Sequence, residues 1–252
     1  MSERPRIILV TGSASGIGAA ICRRLAAPGT AFMVHARKNA DGATAVADEL
    51  RALGAVAQTH LCDLREAGAA AGLVARTVET FGGLDVLVSN AGSANKKPLL
   101  EVPEEDLSTA TDTILTAFFQ LARAAAPHLK QGRNPRVVAV SSFVAHIFRK
   151  DVALFPVTAA AKAGLEALAR SLAIELAPFG VTSNVVVPGY TEKDPGAHSA
   201  FTPEGWRKVA EQVPLGRIAK PSDIANAVAF FADPASDFVT GQTLHVNGGL
   251  HI

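Results

Sequence analysis

The stretch RIILVTGSASGIG, Arg6 to Gly18, decides how the rest of the chain is read. Arg6 to Val10 is continuously apolar after its first residue, as a strand buried on both faces of a parallel sheet should be. Ile17 to Ala27 has the pattern of a helix. Between them lies a turn with Gly12, Gly16 and Gly18. Glycines there let a backbone come close to a pyrophosphate, and the helix start presents free N–H groups and the positive end of a dipole. A glycine-rich turn alone has a plainer reading, a tight strand-to-helix connection. Its place after the first strand and before the first helix favours the phosphate reading.

Working outward, short apolar runs alternate with helical patterns. Strands are expected at Ala31 to His35, Ala57 to Leu61, Leu84 to Val88, Arg136 to Val140, Val181 to Val187 and Gln242 to Val246. Helices are expected at Ala40 to Leu53, Glu66 to Phe81, Glu104 to Leu129, Ala153 to Arg170 and Ser222 to Ala232. This alternation predicts an α/β fold: a Rossmann-like, doubly wound parallel sheet of about seven strands with helices on both faces. The 252 residues suit one domain, 1–252, without a linker or repeat. Hydrophobic residues make up 48% and the net charge is +1, which gives no field for nucleic acid or an anionic membrane. No run is long enough for a membrane span, and MSERPRIILV enters a strand without a signal peptide. Cys22 and Cys62 have no metal-like spacing, so reduced thiols in a cytoplasmic protein are expected, with no metal.

A dinucleotide-binding fold usually carries an acidic residue at the end of its second strand for the ribose 2′-OH. This chain reads His35, Ala36, Arg37, Lys38 there. Arg37 and Lys38 suit a 2′-phosphate, so NADP (NADPH) is favoured over NAD; the plainer alternative is a solvated basic loop. Asp63, in CDL after the third strand, is placed to accept from an adenine amino group or to cap the next helix.

TGSASGIG, then CDL, then Ser89-Asn90-Ala91-Gly92, then Pro188-Gly189, then HVNGG near the C-terminus occur in the order found in the short-chain dehydrogenase/reductase (SDR) family, which the chain resembles over essentially its full length. The resemblance implies a cofactor site of Gly12, Ser13, Ser15, Gly16, Ile17, Gly18, Arg37, Lys38, Asp63, Leu64, Asn90, Ala91, Gly92, Lys162, Pro188, Gly189 and Thr191. It also implies a substrate lid at about 190–216, where Phe201, Trp206 and Val213 are candidate apolar contacts or simply helix packing.

The family's active site uses Asn, Ser, Tyr and Lys. By resemblance, Ser142 is the Ser, with Ser141 as its neighbour, and Lys162 the Lys that holds the nicotinamide ribose. The other two are replaced. Alignment of the long helix through Pro127 puts Ile114 where Asn should stand, and Thr158 takes the place of Tyr. Thr158 stands sixteen positions after Ser142, and the chain's one Tyr is Tyr190, so no shift of register restores the motif. A Thr hydroxyl stops several ångströms short of a phenol oxygen and is far less acidic. Losing a positioned general acid costs about 10²–10⁴ in rate. Tyr190, His146 and a water between Ser142, Thr158 and Lys162 are the candidate substitutes.

The expected catalytic set is therefore Ser142, Thr158, Lys162 and Tyr190. The expected function is an NADP(H)-dependent oxidoreductase of the SDR type with a non-standard proton donor, acting on a small-molecule carbonyl/alcohol, C=C or imine substrate. The alternative is a catalytically silent nucleotide-binding protein acting as sensor or partner subunit. The helices around Ile114 and Leu165 have more apolar faces than one sheet can cover, and the resemblance implies that these helices and the C-terminal strand pair between subunits, so a homotetramer is expected, with a dimer as fallback.

Overall fold

The computed structural model describes residues 4–194 and 201–252. Its strands are β1 (Arg6–Val10), β2 (Thr30–Ala36), β3 (Val56–Leu61), β4 (Val86–Ser89), β5 (Arg136–Val140), β6 (Thr182–Pro188) and β7 (Thr243–Val246). They form one sheet in the order β3-β2-β1-β4-β5-β6-β7, parallel throughout. The helices are α1 (Gly16–Leu25), α2 (Ala40–Ala52), α3 (Ala69–Phe81), α4 (Glu104–Ala110), α5 (Ala117–Leu129), α6 (Pro156–Leu176), α7 (Pro203–Glu211) and α8 (Pro221–Ala232). The expected α/β architecture is present.

Alternation along the strands builds two cores, because successive side chains leave opposite faces of a sheet. Ile8, Val10, Phe32 and Val34 pack with Ile21, Val46, Leu50, Ile224 and Phe231 of α1, α2 and α8. Ile7, Leu9, Met33 and Leu87 pack with Leu73, Phe118, Leu121 and Leu165 of α3, α5 and α6. At the lower end of the sheet Asp85, fully buried, binds Arg4 at 2.7 and 2.8 Å and accepts the N–H of Ile7 at 2.8 Å and of Arg133 at 2.6 Å.

Three helices depart from the sequence reading by more than one or two residues at an end, each for a local reason. α3 begins at Ala69 rather than Glu66, because Glu66 closes a turn onto the Asp63 carbonyl at 2.9 Å and Gly68 takes the left-handed conformation at φ 79°. α6 starts later and runs longer than Ala153 to Arg170: Pro156 opens it, and buried Ala173 and Leu176 carry its apolar face onward. The long helix of 104–129 is interrupted between α4 and α5 by a π-helical turn, Thr111–Thr116, which carries Ile114. Such widened turns recur at functional sites.

β1 has β2 on one side and β4 on the other, so the chain reverses its direction of winding there. Ligands in such sheets bind in the crevice beyond the strand ends at that point. Among the described residues no helix is long and apolar enough to cross a membrane.

Candidate active site

The turn after β1 is built for close approach. Gly12 has φ 64°, a conformation that side chains disfavour. A methyl group on Gly18 would lie 2.3 Å from the Gly12 carbonyl and 2.7 Å from Asn90 Nδ2, so only glycine fits. Asn90 donates through Nδ2 to the carbonyls of Thr11 (3.0 Å) and Gly12 (3.1 Å), while the Thr11 hydroxyl accepts the N–H of Asn90 and Ala91. The glycine turn and the segment after β4 are thereby one unit. Ser13 serves the turn itself: its hydroxyl donates to the Val10 carbonyl and receives the His35 N–H.

At the start of α1, Ser15 makes no side-chain cap. The Gly16 N–H instead donates to the carboxylate of Asp194 at 2.7 Å. A carboxylate oxygen there makes the contact that a phosphate oxygen would make with the same N–H. The residues present thus fit a dinucleotide. Arg37 and Lys38 are exposed just beyond β2. Asp63 forms a multidentate pair with Arg65, whose hydrogen bonds hold its carboxyl down to about 2. That carboxylate caps no helix, since α3 begins six residues later.

The reactive residues gather beyond β4 and β5. Lys162 is buried and donates through Nζ to the Val140 carbonyl at 2.6 Å. A methyl group on Gly92 would lie 3.3 Å from Lys162 Nζ and 3.5 Å from Ile114 Cγ1, so Gly92, Ile114 and Lys162 enclose one spot. Burial holds the Lys162 ammonium down to about 8, against a pull upward from Glu166. Thr158, also buried, accepts the Asn95 N–H at 3.0 Å, which ties α6 to the loop after β4. Asn95 in turn donates to Asp106 at 2.9 Å. Ile114, 1% exposed, is a core residue with no polar atom to hold a water.

The two serines part company. Ser141 is buried and donates to Glu166 at 2.5 Å. The Ser142 hydroxyl accepts only a long N–H bond from Val144, 3.4 Å, and is the one left for a ligand. His146 is bound through Nε2 to Glu166 at 2.8 Å and packs beside His245 and His251, with ring centroids 4.6 and 5.8 Å away.

Tyr190 belongs to a third apolar cluster, which joins residues of the expected lid to Phe143, Ile147, Val152 and Phe155. Its ring lies 4.5 Å from that of Phe143, 5.8 Å from Phe201 and 6.4 Å from Trp206, with Val213 buried nearby. Its hydroxyl is enclosed and bonded to none of Ser142, Thr158 or Lys162; burial raises its pKa. Thr191 turns its hydroxyl onto the Gly189 carbonyl. Gly189 packs on Asn247, where a methyl group would come within 2.8 Å of Cα. Residues 195–200 of the expected lid lie outside the described residues.

Sequence reading missed His35, Glu166, Asn95 and Asp194. The only signal for them was the presence of polar side chains at positions the periodicity marks as interior or loop. A glycine turn at the reversal point of a parallel sheet, with a buried Lys beside it, is the arrangement of a dinucleotide-binding protein. A family model described as enoyl-(acyl carrier protein) reductase matches residues 12–251. The chain is 34% identical to 3-oxoacyl-[acyl-carrier-protein] reductase of Escherichia coli K12 over all of both chains. It is also 34% identical to the Staphylococcus aureus Mu50 reductase of the same name, over 97% of each. Among solved structures, a dehydrogenase/reductase from Sinorhizobium meliloti 1021 superposes with TM-score 0.90 at 34% identity, covering 100% of this chain and 97% of that one. A short-chain dehydrogenase from Burkholderia cenocepacia J2315, in complex with NADP, gives TM-score 0.88 at 34% identity over 97% of each. The chain belongs to the short-chain dehydrogenase/reductase family and is an NAD(P)-dependent oxidoreductase.

Proposed function

We propose that the protein is an NADPH-dependent carbonyl reductase in which Lys162, through a water, does the proton-donating work of the missing phenol. The observation that carries this reading is the enclosure of Lys162 Nζ by Gly92 and Ile114 beside the strand that ends at Ser142. Arg37 and Lys38 would hold a 2′-phosphate, the turn Gly12 to Gly18 the pyrophosphate, and Asn90, Lys162 and Gly189 the ribose and nicotinamide end. The bound dinucleotide supplies hydride. Ser142 holds the substrate oxygen, and Lys162, with an ammonium acidic enough to release a proton near neutral pH, recharges the water next to it. The named relatives point to a 3-oxoacyl thioester as the first substrate to try.

One observation favours a second reading, a silent nucleotide-binding protein: the Thr158 hydroxyl is taken up by the Asn95 N–H and is 4% exposed. NADPH titration followed by turnover assays on 3-oxoacyl thioesters and a carbonyl panel, in wild type and Thr158→Tyr, separates the two. Turnover in wild type is expected. Tight binding with turnover appearing only in Thr158→Tyr would establish the silent reading instead.

The free thiols Cys22 and Cys62 fit a cytoplasmic protein. Exposed Leu107, Phe119 and Ile174 on one side and Phe230 and Phe238 on another fit a homotetramer, or a dimer at the least; a monomer mass in light scattering would remove that assignment.

A further inference from the structure

His35, 2% exposed at the end of β2, bridges three segments. The Gly12 N–H donates to its Nδ1 at 3.1 Å, and its Nε2 lies 3.1 Å from the Cys62 carbonyl oxygen. A carbonyl only accepts and an N–H only donates, so Nε2 must carry the hydrogen and Nδ1 must be bare: one neutral tautomer. Its main chain makes two more bonds to the same turn, from Ser13 N–H at 2.8 Å and to Ser13 Oγ at 3.0 Å. The glycine turn, the end of β2 that leads into Arg37 and Lys38, and the end of β3 that leads into Asp63 therefore meet on one imidazole.

We propose that His35 is a positioning residue for the dinucleotide site, whose neutral ring sets the Gly12 amide plane and locks the phosphate turn to the adenosine side. The inference rests on the cofactor site assigned above. A protonated ring would aim an N–H at the Gly12 N–H and break the clamp. Burial is the main force that keeps the ring neutral and its pKa below the usual histidine value. His60, its partner across β2 and β3, works in the same direction, while Asp63 and the Cys62 carbonyl oppose it. The glycine turn contributes no titratable group, and burial raises the nearby Cys62 thiol to about 11, so it stays neutral. A lowered pKa means that the clamp is present at neutral pH and is lost as pH falls through that value.

The test uses the full chain with His35→Asn, whose amide oxygen can still accept from Gly12, and His35→Phe, which cannot. Fluorescence titration with NADPH and with NADH from pH 8 to pH 5 reads affinity without turnover. At pH 8, His35→Phe is expected to bind about tenfold more weakly and His35→Asn nearly as wild type. On acidification wild type should lose affinity for both dinucleotides, beyond any loss in His35→Asn; a loss confined to NADPH would belong to the 2′-phosphate. In the cofactor-free protein the Gly12 amide NMR signal should titrate in wild type and stay flat in His35→Asn. Wild-type affinity in a folded His35→Phe, or equal pH slopes in wild type and His35→Asn, would overturn the proposal. Should His35→Phe fail to fold, the comparison of wild type with His35→Asn decides. A wild type that binds neither dinucleotide at pH 8 sinks the reductase reading and the cofactor role with it, while the Gly12 signal still reports whether the clamp exists.

Discussion

The proposed mechanism concentrates proton donation on Lys162. With no phenol at Thr158 and no amide at Ile114, it is the remaining group in the enclosure with a transferable proton, and burial brings it down to about 8. Below that pH it is charged and can donate; above it, it is not. The expected result is a carbonyl-reduction kcat/KM that falls as pH rises through about 8. Lys162→Met should lower kcat by about 10²–10⁴, and Lys162→Arg should retain NADPH binding while remaining nearly inactive, because a guanidinium does not titrate. A flat pH profile in stopped-flow NADPH oxidation would remove Lys162 as the acid.

Between elements, the notable contact is that of the segment after β6 with the start of α1. Asp194 places its carboxylate on the Gly16 N–H, where a nucleotide phosphate would also be drawn. Cofactor binding then has to displace or repel it. An exposed carboxylate at a helix start is worth about 1 kcal/mol. Asp194→Asn should therefore bind NADPH about fivefold more tightly, measured by the same fluorescence titration. Unchanged or weaker binding would mean that the carboxylate sits clear of the phosphates.

At the scale of the whole molecule, Asp85 anchors the end of the sheet opposite the site, tying Arg4, β1 and the turn before β5 to one carboxylate. Burial pushes its pKa up, but Arg4 and the two N–H donors outweigh this and hold it below the usual value. A depressed carboxyl contributes stability that is present above its unfolded pKa, about 3.9, and lost as pH falls through the folded value. Asp85→Ala, which leaves buried donors without a partner, should cost about 3 kcal/mol near neutral pH. In urea unfolding the gap to wild type should narrow below about pH 4; a gap independent of pH would assign the loss to packing alone.

The linear order of apolar runs and glycines determined the parallel sheet and the glycine turn, because those depend on local periodicity and on residue identity alone. The starts of α3 and α6 depended on local turn chemistry, such as Glu66 closing onto Asp63 and Pro156 opening the helix. Only the tertiary structure decided which polar groups face one another: His35 between Gly12 and Cys62, Thr158 against Asn95, and Asp194 on Gly16. These pairs stand 23 to 178 residues apart in sequence. A hydrogen bond acts over about 3 Å, so nothing in the order of residues marks such a pair until the fold has brought its members together.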